Sequence, residues 1–468
     1  MRFIPLMSCL LPLACGVQDR GQPDVQPAAE PAARVAPGEP RNVLLVVVDT
    51  LRTDRVGVYG SKRPTTPAID SVAARGLRYD RAYATAPWTM PTVASVLTGL
   101  LPAVHGVTHV RRRIPAGIDT LPELLSARGV DTTGIVSNVL LTQEHGFDQG
   151  FGHFDSQASN GHRFVGTELV TDAAVSALRR HAASDRPFFL MAHYFDPHYD
   201  YMPHDGVDWA PDRAGTLTTD VEIVSIRDDR ARLTEEELTF LGDLYDEEVW
   251  FTDQGVARLL SELDALALTQ DTLIIVLADH GEELMEHGWL GHTRSMYEEV
   301  VRVPLVMAGP GVPIGEVIET PVTLASITPT VLSRLGMLAE VGEGKFQASP
   351  LPAGEDVVPE PVFIEVDFVP INEISESKRA HLTAVVGQRL KFIRDENSGV
   401  IEAYDLATDP GERADLVAAS PSDVDRFRAV LDGEQSKARK RPVAPVAPVE
   451  VELDDERTSQ LERLGYLE

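Results

Sequence analysis

Two long apolar runs in this sequence end on groups that can hold a cation or move a proton. Val43-Leu-Leu-Val-Val-Val48 ends on Asp49, and Thr272-Leu-Ile-Ile-Val-Leu-Ala278 ends on Asp279-His280-Gly281. Both runs are uninterrupted and rich in β-branched residues, the pattern of strands covered on both faces within a parallel sheet. In open α/β sheets ligands bind beyond the carboxyl ends of the strands, so the two carboxylates can converge from distant sequence. A third group, Thr89, precedes Pro91, Val93, Val96 and Leu97, which recur at helical spacing before Gly99. Pro91 suits the first helical position, so the spacing predicts Thr89 just ahead of a helix N-terminus, where free amides and the dipole favour an anion. A threonine there is also an ordinary helix cap, and taken alone that is the simpler reading. Beside a divalent cation its hydroxyl would become a nucleophile, attacking phosphorus or sulfur to form a covalent ester.

Further strands are expected over Asp131–Val136, Phe188–His193 and Pro304–Ala308. Helices alternate with them. Thr66-Pro67 opens one that ends at Gly76, and Leu121-Pro122 opens another that ends at Gly129. Thr234-x-x-Glu237 reads as a capping box that starts a long helix towards Leu263. This alternation predicts an α/β layered fold over residues 41–340. Beyond Leu338 the pattern changes to short strands (Val362–Val366, His381–Val386, Leu390–Ile393) and a helix from Pro421 to Leu431, a small α+β domain over 341–435. A tail, 436–468, follows.

The chain has 468 residues and a formal net charge of -30. That acidity argues against a nucleic-acid partner, which needs clustered Lys and Arg to displace counterions from phosphates. It leaves a phosphate-bearing substrate open, since a bound metal supplies local positive charge. Both cysteines, Cys9 and Cys15, fall in the first fifteen residues, so the remainder has no disulfide, thiolate ligand or cysteine nucleophile. Arg2 followed by the apolar stretch Phe3–Ala14 reads as a signal peptide over 1–15, too short to span a membrane. Leu11-Pro-Leu-Ala14-Cys15 is similar to a bacterial lipoprotein cleavage box. The expected location is therefore extracytoplasmic, in the periplasm or on the outer membrane surface, with membrane contact only through a lipid on Cys15. Residues 16–40, rich in Pro, Ala, Gln and Glu, are expected to form a tether.

Thr89-Met-Pro91-Thr92-Val93, followed by Leu97-Thr98-Gly99, Pro102 and His105-Gly106, resembles the sulfatase active-site signature: Cys or Ser, any residue, Pro, Ser, Arg, then Leu-Thr-Gly, Pro and His-Gly. Thr89 stands where that family forms formylglycine, and a threonine cannot become that aldehyde. Thr92 and Val93 replace its Ser and Arg. Asp279-His-Gly-Glu to His292, followed by Tyr297-Glu-Glu-x-x-Arg302-Val-Pro304, resembles a metal-binding signature of the alkaline phosphatase superfamily. The resemblance implies an alkaline-phosphatase-like layered sheet with helices on both faces. It also implies one metal site made by Asp49, Asp279, His280 and the Thr89 oxygen. His280 stands where calcium-using sulfatases carry Asn, which favours manganese or zinc over calcium.

By the same resemblance His292 is a substrate contact or leaving-group acid. His198, in Pro187-Phe-Phe-Leu-Met-Ala-His193-Tyr-Phe-Asp196-Pro-His198, matches an active-site histidine. Asp196 and His193 either complete a second metal site or, for His193, form a satisfied core histidine. Asn138 lies in Ile135-Val-Ser137-Asn138, which replaces the Lys-x-His segment that grips sulfate, and His105 follows the Thr-Gly turn. Asn138, Asp196 and His105 are the expected substrate-side residues. The implied activity is metal-dependent hydrolysis of a phosphate or sulfate ester on a small molecule, glycan or lipid, without formylglycine. A phosphoglycerol or phosphoethanolamine transferase and a non-catalytic binding lipoprotein are the alternatives.

Overall fold

Seven consecutive residues from Asn42 to Val48 are buried, as are seven from Thr272 to Ala278, and each run forms one strand at the centre of an eight-stranded sheet. The computed structural model describes residues 34–35, 38–159, 166–227, 233–354, 359–369, 379–419, 424–440, 449–453, 458–461 and 466. The expected signal peptide and most of the expected tether lie outside the described residues. Residues 33–468 form one compact unit. Among the described residues no helix is long and apolar enough to cross a membrane.

The strands of the main sheet are β1 (Asn42–Val48), β2 (Gly76–Tyr79), β3 (Asp131–Val136), β4 (His153–Asp155), β5 (Phe188–Tyr194), β6 (Thr272–Ala278), β7 (Leu305–Ala308) and β8 (Glu316–Ile318). Their spatial order is β8-β2-β7-β6-β1-β5-β3-β4. All neighbours pair in parallel except around β7, which runs against β6 and β2. The principal helices are α1 (Pro67–Ala74), α2 (Thr89–Thr98), α3 (Leu121–Ser126), α4 (Thr167–Ala182), α5 (Glu235–Ala265), α6 (Ile327–Arg334) and α7 (Val424–Lys440). A second sheet, β9 (Val362–Phe368), β10 (Ala380–Val386), β11 (Leu390–Asp395) and β12 (Ile401–Asp405), pairs antiparallel in sequence order.

Three elements differ from expectation. Helix α1 stops at Ala74 and Gly76 opens a strand, because a Cβ there would run into the Met307 carbonyl of β7. Helix α7, described from Val424, runs to Lys440, through residues expected in the tail, since no proline falls between Val424 and Lys440. Thr89 is the first residue inside α2 rather than the one before it, and Pro91 is the third. The capping box at Thr234 and Glu237 forms as expected.

Helix α5 is fixed to α1 by Asp253, whose carboxylate accepts from the backbone N–H of Ala68 (2.8 Å) and Ile69 (3.0 Å). These are donors of the first turn of α1 with no partner inside their own helix. Both residues are buried, so Asp253→Ala would strand two amides away from water. Each such loss costs roughly 1–3 kcal/mol, and urea unfolding is expected to show at least about 2 kcal/mol of destabilisation. An unchanged midpoint would rule this cap out as a source of stability.

Candidate active site

Strands β6, β1, β5 and β3 are consecutive neighbours, and their register sets the site. Val48 of β1 lies opposite both Ala278 of β6 and Tyr194 of β5, so Asp49 and Asp279 leave the same carboxyl edge side by side. His193 is the penultimate residue of β5 and faces Val136 of β3, after which the chain turns through Ser137 to Asn138. The Ser137 hydroxyl ties this turn to β5, donating to the His193 carbonyl and accepting from the Phe195 N–H, both at 2.8 Å.

Helix α2 brings Thr89 to that edge. Its hydroxyl lies 3.4 Å from Asp49 Oδ2 and 3.3 Å from His280 Nε2, and the Asn138 amide donates to Asp49 Oδ2 at 2.8 Å and to Thr89 Oγ1 at 3.4 Å. Trp88 occupies the cap position and no side chain caps the helix, so Thr89 does not serve as the ordinary cap. His280 Nδ1 lies 2.9 Å from the Gly281 carbonyl, which can only accept. Nδ1 therefore carries a proton, and Nε2 faces Thr89 and Asp49.

The donor set fits a divalent cation. Asp49, His193 and Asp279 each offer a ligand atom within 4.8 Å of the others. Among the described residues Asp49 Oδ1 and Asp279 Oδ2 are buried yet accept no hydrogen bond. His193 Nε2 is 3.8 Å from Asp49 Oδ2 and 3.9 Å from Asp279 Oδ2, and His280 Nε2 is 3.4 Å from Asp49 Oδ1. Burial and then the neighbouring Asp279 push the Asp49 carboxyl up to about 7. Asp279 is held below its usual value because His280 and His193 outweigh its own burial. Two carboxylates so close and so dry repel one another unless a positive charge lies between them.

His292 adjoins this group, its ring 4.5 Å from that of His280 and 4.9 Å from that of His198. Its Nδ1 is 2.9 Å from Glu282 Oε1 and its Nε2 is 3.4 Å from the Tyr466 hydroxyl. Burial, with His280, His198 and Arg227 nearby, holds His292 well below the usual imidazole value, so the ring is neutral. His198 stacks on Phe195 at 4.4 Å and donates from Nδ1 to the Tyr199 carbonyl at 2.8 Å. Arg227 is buried with its guanidinium 4.8 Å from the centre of the Tyr199 ring.

The structure thus gathers Asp49, Thr89, Asn138, Asp279 and His280, with His198 and His292 alongside. It does not bring His105 or Asp196 into contact with them. His105 lies beside α2, its Nε2 3.1 Å from Ser95 Oγ and its Nδ1 accepting from the Val107 N–H, and burial lowers it to about 3. Asp196 accepts from the Thr167 N–H at 2.8 Å and the Gly166 N–H at 3.4 Å, which spends its carboxylate on the start of α4. His193 is no satisfied core histidine, for neither ring nitrogen makes a hydrogen bond. Its signal was present in the sequence, a polar residue at the carboxyl end of an apolar run, as at Asp49. Glu282, Arg227 and Tyr466 were not singled out, because nothing in their local patterns sets them apart.

The sulfatase profile matches residues 41–337, which span every strand of the main sheet through β8 and include Asp49, Thr89, Asn138, His193, Asp279 and His280. The chain belongs to the sulfatase family. It is 24% identical over 428 residues to a Δ4,5-hexuronate-2-O-sulfatase of Bacteroides thetaiotaomicron, covering 81% of this chain and 85% of that one. A sulfatase-fold protein solved with its substrate D-glucosamine-2-N,6-O-disulfate superposes with a TM-score of 0.69 at 20% identity, over 87% of this chain and 99% of the other. A phosphonate monoester hydrolase of Agrobacterium radiobacter gives 0.66 at 21% identity, over 88% and 100%. The fold is therefore that of the sulfatases, whose layered α/β sheet places the site where the strand ends converge.

Proposed function

We propose that this sulfatase-family hydrolase cleaves phosphate or sulfate monoesters or diesters with the Thr89 hydroxyl as nucleophile. The observation that carries the reading is the Thr89 oxygen, buried at the start of α2 and set between Asp49, His280 and Asn138. Asp49, Asp279, His280 and His193 would hold a divalent cation, and the two imidazoles in that set favour zinc or manganese over calcium. Bound there, such a cation supplies charge that favours deprotonation of a neighbouring hydroxyl and offsets charge on the transferred group. The chain's own groups do the rest. Asn138 fixes Asp49 and reaches Thr89 Oγ1, His280 turns Nε2 to the same centre, and His292, backed by Glu282, would meet the leaving group.

Chemistry favours phosphorus as the centre attacked. A formylglycine hydrate can expel sulfate by elimination, whereas a threonine ester must be attacked in turn by water or an alcohol. The relatives favour sulfur, since sulfatases predominate among them. Turnover of matched nitrophenyl phosphate, phosphodiester and sulfate, with manganese or zinc and Thr89→Ala as control, decides between the two. Silence of the wild type on all three would sink the hydrolase reading in favour of transfer or binding.

His193→Ala tests the cation site without an assay of turnover. It is expected to weaken manganese or zinc retention by on the order of tenfold, since even partners that only orient a ligand contribute that much. Elemental analysis after gel filtration reads the result, and wild-type metal content in the variant would remove His193 from the site.

A further inference from the structure

Tyr466 lies outside the residues matched to the family, yet its side chain is only 1% exposed and its hydroxyl reaches His292 of the site. The phenol oxygen is 3.4 Å from His292 Nε2. The ring is held by Trp88 (centroids 6.2 Å apart), Phe368 of β9 (6.4 Å) and His292 (6.1 Å). Its backbone N–H donates to the carbonyl of Leu461, itself buried. Trp88 directly precedes the nucleophile, so the wall that fixes the phenol and the helix that presents Thr89 share one backbone.

Among the described residues in hydrogen-bond contact with Thr89, few donors remain for an anion. Asp49, Asp279 and His280 Nε2 are assigned to the cation, and the Asn138 amide is engaged with Asp49 and Thr89. The arginine of the sulfatase signature is Val93 here, and the Lys-x-His segment is absent. A tetrahedral oxyanion attached to Thr89 Oγ1 would project towards the groups that flank it, among them the Tyr466 hydroxyl held against Trp88 and His292. We propose that Tyr466 is a catalytic residue of this site, its phenolic O–H donating to a non-bridging oxygen of the group being transferred. The proposal rests on the reading of Thr89 as the point of reaction. A donor pre-set by three rings does not have to be reorganised when charge develops, which is the condition under which such a contact lowers the barrier.

Tyr466→Phe keeps the ring and deletes the oxygen, so it is the decisive variant, made in the full chain and loaded with manganese. Tungstate serves as the tetrahedral oxyanion probe, its binding read by calorimetry, alongside kcat and KM on the best nitrophenyl ester. The expected result is roughly tenfold weaker tungstate binding and a kcat lower by about 10- to 100-fold, with KM changing less, the range of one hydrogen bond to a charged group. The thermal midpoint should stay at the wild-type value because the packing against Trp88 and Phe368 remains. Wild-type tungstate affinity and wild-type kcat in Tyr466→Phe would overturn the proposal, as would a loss that merely follows a lowered midpoint. If the wild type binds tungstate but hydrolyses no ester, the hydrolase reading fails while the tungstate comparison still judges Tyr466. If the wild type neither binds nor hydrolyses, both are overturned.

Discussion

Thr89→Ala is expected to remove turnover by on the order of a thousandfold or more, while Thr89→Ser stays within about tenfold of the wild type. The asymmetry follows from what each change deletes. Serine keeps an oxygen at the first position of α2, within reach of His280 Nε2 and Asp49, and loses only a methyl group. Alanine leaves the helix intact, since Thr89 caps nothing, so the loss cannot be blamed on unfolding. Asp49, Asp279, His280 and His193 remain to hold the cation, and metal content measured beside turnover separates the loss of an attacking oxygen from the loss of a ligand. If Thr89→Ala retains a tenth or more of the activity, the attacking oxygen is water and Thr89 only lines the site. Trapping separates these cases further: a threonine mechanism leaves a covalent ester on the protein after acid quench, detectable as a mass increase on the peptide containing Thr89, and a water mechanism leaves none.

What the sequence revealed of this site, and what it hid, follows from the kind of signal each residue leaves. Asp49 and Asp279 were legible because a carboxylate ending a fully apolar run has no structural use there, and strand-end geometry then forces convergence. His280 and Thr89 came with them, one by adjacency and one by a helix start with a recognisable turn after it. His105 and Asp196 were misplaced because position in a motif fixes neither the direction of a side chain nor its local partners. Asp196 is committed to two amides of α4, and those amides are found only when the fold is known. Tyr466 was unreadable for the opposite reason. Its contact with His292 spans 174 positions and rests on an aromatic wall drawn from Trp88 and Phe368, neither of which carries a local mark of function. The central strands were plain from burial alone, whereas the short strands β2, β4 and β8 at and near the sheet edges were missed, having too few residues to show a period.

Lys391→Met should cost about 3–5 kcal/mol at pH 8, the usual penalty for removing one member of a buried ion pair. Lys391 lies on β11 with its ammonium fully buried, 3.0 Å from Glu298 Oε1 and 2.9 Å from Glu412 Oε1. Without it two carboxylates remain in the same dry space. Burial first, and Glu298 next, push the Glu412 carboxyl up to about 7 even though Lys391 opposes the shift. A carboxyl raised on folding binds more protons in the folded state than in the unfolded chain, so its contribution worsens as pH rises through that interval. Removing Lys391 raises Glu412 further. The deficit of Lys391→Met must therefore shrink as pH falls towards 5.5, where folded Glu412 is protonated, and urea midpoints at the two pH values measure this directly. A deficit equal at both, or absent at pH 8, would show that the ammonium does not neutralise Glu412. The consequence reaches the active site, because Glu298 starts the turn whose Glu299 and Val300 carbonyls accept from the Glu282 and Gly281 N–H groups. The second sheet thus holds, through one buried lysine, the loop that carries His280 and Glu282, and activity in Lys391→Met should fall before the protein unfolds.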